Sequence, residues 1–140
     1  MADTFQFRLV TPTGIVFEGL VEQVVAVGPL GEFGVLAGHT DFITSLTPGM
    51  LTLRPHSGTL DEYLLTGGLA EVKDGAMSVL ALEALDPASV DSTAAASDEQ
   101  AAGERLAQLS FYDPGYADAE QALQLARARH QIAQLTRTQH

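Results

Sequence analysis

A histidine next to a carboxylate is the first arrangement in this sequence that could do chemistry. His39 lies between Gly38 and Thr40, and Asp41 follows two residues later, so one interpretation is a general base oriented by a carboxylate. A base needs a nucleophile, and the sequence has no G-x-S-x-G turn and no H-E-x-x-H pair. We favour a loop histidine that is satisfied by backbone groups.

The stretch VGPLGEFGVLAGHTDF, residues 27–42, contains four glycines and suggests a second kind of chemistry, phosphate binding. A phosphate-binding loop needs a helix N-terminus behind it, whereas β-type sequence continues here. The remaining histidines have no metal-ligand spacing with acids or with each other. The sequence therefore predicts no catalytic residue, no metal site and no cofactor. The glycines are interpreted instead as shaping a surface that another protein contacts, with Phe33 and Leu36 as exposed apolar loop residues in its core.

Composition limits the function classes further. The 140 residues include no cysteine, which removes disulfides, thiolate metal sites and cysteine nucleophiles. Eighteen acidic residues against seven basic ones give a net charge of −11, which argues against nucleic-acid binding. No signal peptide and no membrane-spanning run is visible, so we expect a soluble protein whose link to any membrane goes through a partner.

Up to about Leu85 the chain is typical of short antiparallel strands. Phe5, Phe7 and Leu9 share one predicted face, and Val21, Gln23 and Val25 are predicted to share another. Turn signals separate further runs with β-type sequence, at residues 42–46, 50–53, 60–66, 69–73 and 77–82. This spacing predicts a β-sandwich or barrel domain over residues 1–86.

Alanine replaces glycine after residue 86, and residues 87–140 are predicted to form an antiparallel two-helix hairpin. Asp91 or Ser92 is expected to cap the first helix, and Asp113 is expected to cap the second. The predicted apolar stripes are Ala95, Ala102, Leu106 and Leu109 on the first helix, and Leu125, Ala128, Ile132 and Leu135 on the second.

Several linked motifs carry a resemblance to a known family. They are T-P-x-G-x-x-F-x-G at residues 11–19, G-E-F-G-V-L-x-G-H at residues 31–39, a Pro48-Gly49 pair, and LLTGGLAEV at residues 64–72. In this order, followed by an alanine-rich hairpin, they resemble the epsilon subunit of bacterial F-type ATP synthases. The resemblance is close over residues 5–86 and weaker over the hairpin.

The resemblance implies a non-catalytic subunit of the rotating central stalk. Its partners would be the gamma subunit, the c-ring and, through the helices, the alpha and beta catalytic subunits. It would lie peripherally at the cytoplasmic face of the bacterial inner membrane. The implied c-ring docking residues are Gly31, Glu32, Phe33, Gly34, Gly38 and His39, and Glu32 is the predicted polar contact.

The hairpin of bacterial relatives can fold against the sandwich or extend toward the catalytic subunits and block ATP hydrolysis, so the resemblance implies regulation. Arg127, Arg129 and Arg137 give residues 121–140 a charge of +3 without any acid. They are interpreted either as contacts to an acidic partner loop or as complements of the helix macrodipole.

Some relatives bind ATP through an I/L-D-x-x-R-A motif at the first helix. Here Asp91 matches the aspartate, but Ala94 replaces the arginine that would contact phosphate. We therefore expect weak ATP binding or none.

Two other function classes lack the residues that they need. A carbohydrate- or ligand-binding β-module needs grouped aromatic side chains, but tryptophan is absent and aromatic residues total 6%. A small hydrolase needs an active-site constellation, and the sequence contains no recognisable one.

Overall fold

The computed structural model describes the backbone of residues 3–138 and the side chains of residues 3–134. The chain divides after Pro87 into two compact units. The first consists of β-strands and the second contains two helices, so the predicted fold class is confirmed.

Nine strands form the first unit within the described residues. They are β1 (Phe5–Thr11), β2 (Gly14–Gly28), β3 (Gly31–Leu36), β4 (Phe42–Leu46), β5 (Gly49–Pro55), β6 (Asp61–Leu65), β7 (Gly68–Lys73), β8 (Ala76–Ala81) and β9 (Ala84–Leu85). Their order is β4-β7-β8-β1-β2-β5-β6-β9, with β3 added beside β2. All pairs are antiparallel except β1 with β8, which is parallel.

Strand β2 connects the two halves of the sheet because it is long enough to pair differently along its length. Residues 14–21 pair with β1, whereas the later residues pair with β3 on one edge and with β5 on the other. The two halves enclose one core, which contains side chains from all strands except β9. Its largest fully buried members include Phe7, Leu9, Leu51, Leu53 and Met77.

The alternation in β1 is confirmed, but the alternation predicted for β2 is wrong. Val21, Val24 and Ala26 are the buried residues there, whereas Gln23 and Val25 are half-buried. The register against β5 shifts between Val21 and Gln23, so Glu22 is an extra residue. A β-bulge of this kind moves the following side chains to the opposite face.

Helix α1 spans Ser92–Ala107 and begins as predicted. The Asp91 carboxylate accepts hydrogen bonds from the backbone N–H groups of Thr93 (2.9 Å) and Ala94 (3.2 Å). Ala95 is buried and Leu106 is half-buried, in agreement with the predicted stripe.

Helix α2 spans Tyr116–Thr138, and its predicted cap is wrong. The first bond within this helix runs from the Ala119 N–H to the Gly115 carbonyl. The Asp113 carboxylate instead accepts a hydrogen bond from the Ser110 N–H (2.7 Å) and closes the turn between the helices. The buried side chains in the described part of α2 include more alanines than the predicted stripe. They are Ala119, Leu123, Ala126, Ala128, Ile132 and Ala133, of which only Ala128 and Ile132 were predicted. The side chain of Leu135 lies outside the described residues.

Candidate docking surfaces

Residues 31–36 form strand β3, so the prediction of a glycine-rich loop is wrong for this segment. The strand folds back on β2 through a tight turn at Pro29 and Leu30, with Gly28 opposite Gly31. Gly31 has φ +115°, a conformation that favours glycine, and a Cβ built on it meets nothing within 4 Å. Gly31 is therefore explained by the turn between β2 and β3, and it accounts for one of the glycines in this stretch.

One side of β3 is exposed, and we call it the β3 face. It consists of Glu32, Gly34 and Leu36, which alternate with the inward residues and of which Leu36 is 58% exposed. A Cβ built on Gly34 would be 3.8 Å from Gln23 Nε2, an ordinary contact. The fold therefore does not require glycine at position 34. The missing side chain leaves a shallow depression between Glu32 and Leu36.

Phe33 lies on the opposite side of β3 from the β3 face. It is half-buried, packs against the core, and meets the Phe42 ring edge to face at 5.7 Å between centroids. Val35, two residues later, is buried. The expectation that Phe33 is an exposed apolar loop residue is therefore wrong, and its ring supports the β3 face from below.

His39 and Gly38 lie in the turn that follows β3. The His39 Nδ1 atom is 2.8 Å from the Thr40 carbonyl oxygen, and the His39 N–H donates to the Leu36 carbonyl. This confirms a histidine satisfied by backbone groups. The Asp41 carboxylate accepts the Asp74 N–H at 3.2 Å, so its described partner is a backbone amide.

The six predicted docking residues do not form one loop. Glu32 and Gly34 share the β3 face, while Gly31 and the pair Gly38 and His39 lie at opposite ends of the strand. A strand of this length spans roughly 17 Å. The predicted residues are thus spread along one edge strand rather than collected at a point.

A second exposed surface crosses four neighbouring strands on the other half of the sheet. Leu69 of β7 is opposite Leu80 of β8, Leu80 is opposite Val10 of β1, and Val10 is opposite Ile15 of β2. We call these four residues the apolar row; Leu80 is 53% and Ile15 58% exposed. This surface was not predicted from the sequence, although strands that are apolar on both faces indicate a covered sheet.

Arg127 and Arg129, the two predicted regulatory arginines whose side chains the structure describes, do not share one side of α2. Arg127 Nε lies 3.8 Å from Glu99 Oε1 on α1, and Glu99 also contacts His130 Nδ1. Arg127 and Arg129 are two residues apart, which places them on nearly opposite sides of a helix. Both lie more than two turns before Thr138, too far from the helix end for the macrodipole interpretation. The side chain of Arg137 lies outside the described residues.

No metal-binding group of three or more histidine and carboxylate side chains occurs among the described residues. In the same part of the chain, no helix is both long and apolar enough to cross a membrane. The class of protein defined so far is a β-sandwich, with two exposed surfaces, that is followed by a helical hairpin.

Comparison with known proteins identifies the family. Residues 4–87 match the model for the β-sandwich domain of the ATP synthase delta/epsilon chain. Over 95 residues the chain is 43% identical to the ATP synthase epsilon chain of Bradyrhizobium sp. (strain ORS 278), covering 68% of this chain and 70% of that one. The epsilon chain of Rhodopseudomonas palustris (strain BisB18) is 39% identical over 111 residues, 76% of this chain and 82% of that one. The chain belongs to the ATP synthase epsilon chain family, whose members are non-catalytic accessory subunits.

Solved structures agree with this assignment. A chain of the Euglena gracilis mitochondrial ATP synthase, solved as the OSCP/F1/c-ring assembly, is 25% identical with a TM-score of 0.65, covering 94% of this chain and 81% of that one. A chain of the Tetrahymena thermophila central stalk and c-ring is 15% identical, with a TM-score of 0.61 and coverage of 99% and 97%. The second likeness shows the fold alone.

Proposed function

We propose that this protein is the central-stalk subunit that couples the rotor of a bacterial, proton-translocating F-type ATP synthase to its catalytic head. It would lie at the cytoplasmic face of the inner membrane, held there by its partners. The match of residues 4–87 to the family carries the proposal, because these residues contain both exposed surfaces of the β-sandwich.

The apolar row is the surface we assign to the gamma subunit. Leu69, Leu80 and Ile15 are between 39% and 58% exposed and follow one another across adjacent strands. Complete burial of a leucine or isoleucine side chain stabilises a contact by about 1.5–3 kcal/mol. A partner that covers the whole row would therefore gain a continuous apolar contact.

The β3 face is the surface we assign to the polar loops of the c-ring. Glu32 offers an exposed carboxylate, and Gly34 lets a partner backbone approach the sheet closely. Phe33 and Val35 fix the strand to the core from the other side. The face is thus rigid, which suits a contact that must transmit torque.

Paired variants test the two surfaces separately. Leu69→Ser with Leu80→Ser should weaken co-purification with the gamma subunit, whereas Glu32→Ala with Gly34→Val should weaken association with the c-ring and keep the gamma contact. Leu30→Ser is the control, since this side chain is fully exposed at a turn outside both surfaces. Unchanged gamma binding and unchanged coupling in both paired variants would refute the assignment.

The hairpin is proposed to act as a brake on ATP hydrolysis. Its described buried side chains are mostly alanines, so rearranging the hairpin costs less apolar burial per residue than disrupting the sandwich core would. Deletion after Pro87, where the two units divide, should leave gamma binding intact and raise the hydrolysis rate of the assembled enzyme. An unchanged rate would contradict the brake and leave the rest of the proposed function standing.

Nucleotide binding by the isolated chain is proposed to be weak or absent. Asp91, which matches the aspartate of ATP-binding relatives, already uses its carboxylate to cap α1. Ala94 stands where those relatives carry arginine. Calorimetry with Mg-ATP should detect no micromolar binding, and a micromolar affinity would refute this proposal.

A further inference from the structure

The turn between α1 and α2 presents a cluster of exposed aromatic rings. Phe111 is 75% exposed and Tyr112 is 92% exposed. The Phe111 ring lies 5.7 Å from that of Tyr112 and 5.5 Å from that of Tyr116, both edge to face. We call these three residues the aromatic tip. Aromatic rings that are exposed to water do not gain the free energy that burial would provide. Their clustering at one exposed point therefore suggests a binding role.

Hydrogen bonds within the turn hold the aromatic tip in a fixed arrangement. The Tyr112 N–H donates to Ser110 Oγ at 3.3 Å, and the Asp113 N–H donates to the Ser110 carbonyl at 2.8 Å. The Asp113 carboxylate accepts a hydrogen bond from the Ser110 N–H, and the backbone carbonyl of Asp113 accepts one from the Tyr116 N–H at 3.1 Å. A turn ordered in advance loses little conformational entropy on binding.

The charges around the aromatic tip are mainly negative. Residues 104–120, which contain the turn and the adjoining ends of both helices, have four acids and one basic residue, Arg105, and so a net charge of −3. The acids are Glu104, Asp113, Asp118 and Glu120. An anionic membrane surface would repel this segment, whereas a positively charged protein surface would attract it.

From these observations we infer that the aromatic tip is a docking anchor whose partner is a protein with an apolar pocket rimmed by lysine or arginine. Phe111 and Tyr112 enter the pocket, and the surrounding carboxylates face the basic rim. Aromatic side chains dominate the binding energy of many protein interfaces when they are buried in such pockets. The inference does not depend on the proposed function.

Photo-crosslinking in intact source cells tests the anchor. Tyr112→benzoylphenylalanine should crosslink to one defined protein site whose neighbours include lysine or arginine, and adding Phe111→Ser should lower the yield about tenfold or more. Leu30→benzoylphenylalanine, at an exposed turn of the β-sandwich, is the control and should not reach that site. Reversing a basic charge at the crosslinked site should lower the yield, and Asp118→Lys should restore it.

Other outcomes overturn the inference. Crosslinks to lipid, or pelleting of the purified chain with phosphatidylglycerol vesicles in a manner that needs Phe111, would make the tip a membrane contact. Crosslinks to a second copy of this chain would make it a self-association site. A missing product, a site without basic residues, or a yield insensitive to Phe111→Ser would also refute it.

Discussion

The β-sandwich and the helical hairpin bury very different side chains. The sandwich core contains large residues that are fully inaccessible to solvent, such as Phe7, Leu51 and Met77. The described buried residues of the hairpin are five alanines together with Leu123 and Ile132: Ala95, Ala119, Ala126, Ala128 and Ala133. An alanine buries little apolar area, so the hairpin gains less free energy per residue from its interior.

The two units therefore depend on different sources of stability. The sandwich depends on a close-packed core, in which a single added carbon can force the strands apart. The hairpin depends more on helix propensity, on its caps, and on polar contacts such as Glu99 with Arg127 and His130. We therefore expect large effects from steric changes in the sandwich and smaller effects from caps and propensity in the hairpin.

The largest expected effect is at Gly68 in β7. A Cβ at this position would lie 2.2 Å from the backbone oxygen of Leu80, and backbone of the neighbouring strand cannot move aside cheaply. Gly68→Ala should lower the free energy of unfolding by about 3 kcal/mol or more, the upper end for overpacking. Urea unfolding measures this, and Gly34→Ala is the matched control because its Cβ has room. Equal stability of the two variants would contradict the packing argument.

An intermediate effect is expected at the N-cap of α1. Asp91→Ala removes two hydrogen bonds to backbone N–H groups and should destabilise the helix by about 0.5–2 kcal/mol. Amide hydrogen exchange at Thr93 and Ala94 should accelerate, while exchange in the sandwich core should not change. Asp98→Ala is the control, since it removes an exposed carboxylate from the same helix without removing a cap. The same acceleration in both variants would mean that charge, not capping, is responsible.

A small gain is expected from Gly103 in the middle of α1. A Cβ built there lies 3.9 Å from Leu123 Cδ1, an ordinary contact, so alanine fits. Gly103→Ala should stabilise the helix by roughly 0.5–1 kcal/mol through reduced backbone entropy. Helical ellipticity during urea titration measures the gain, and Gly103→Ser, which also adds a Cβ but has lower propensity, should give less. A loss of stability would show that the helices pack more tightly here than the structure indicates.

The smallest effect is expected from pH at Tyr63. Burial raises the pKa of Tyr63 above its ordinary value of 10.0, and the nearby Asp61 charge raises it further. The folded state favours the neutral phenol. The stability that Tyr63 contributes is therefore fully present below pH 10 and is lost as the pH rises through the raised pKa. Tyr63→Phe should therefore lose less stability than the parent as the pH rises above 10. Tyr112→Phe, which removes a phenol that is 92% exposed, should retain the parent's loss.

Local patterns were enough to predict much of the fold. The alternation of Phe5, Phe7 and Leu9, the strand at Phe42–Leu46, and the Asp91 cap all appear as predicted. Each depends on residues within one strand or one helical turn, where side-chain period and short-range hydrogen bonds decide the structure. The family resemblance came from the same local motifs.

The candidate surfaces were predicted only in part. Glu32 and Gly34 do lie on an exposed surface, but the division of β3 into an outer and an inner side was missed, and Phe33 was assigned to the wrong one. The apolar row was missed because its members come from four strands that are far apart in sequence. Neither error could be corrected without knowing which strands pair.

The sequence by itself determined the short strands, the α1 cap and the family. Only the tertiary structure decided the bulge at Glu22, the start of α2 beyond Asp113, and the requirement for glycine at position 68. Each of these depends on groups distant in the chain or on competition between nearby hydrogen-bond partners: β5 sets the register of β2, Ser110 takes the Asp113 carboxylate, and the Leu80 carbonyl fills the space beside Gly68.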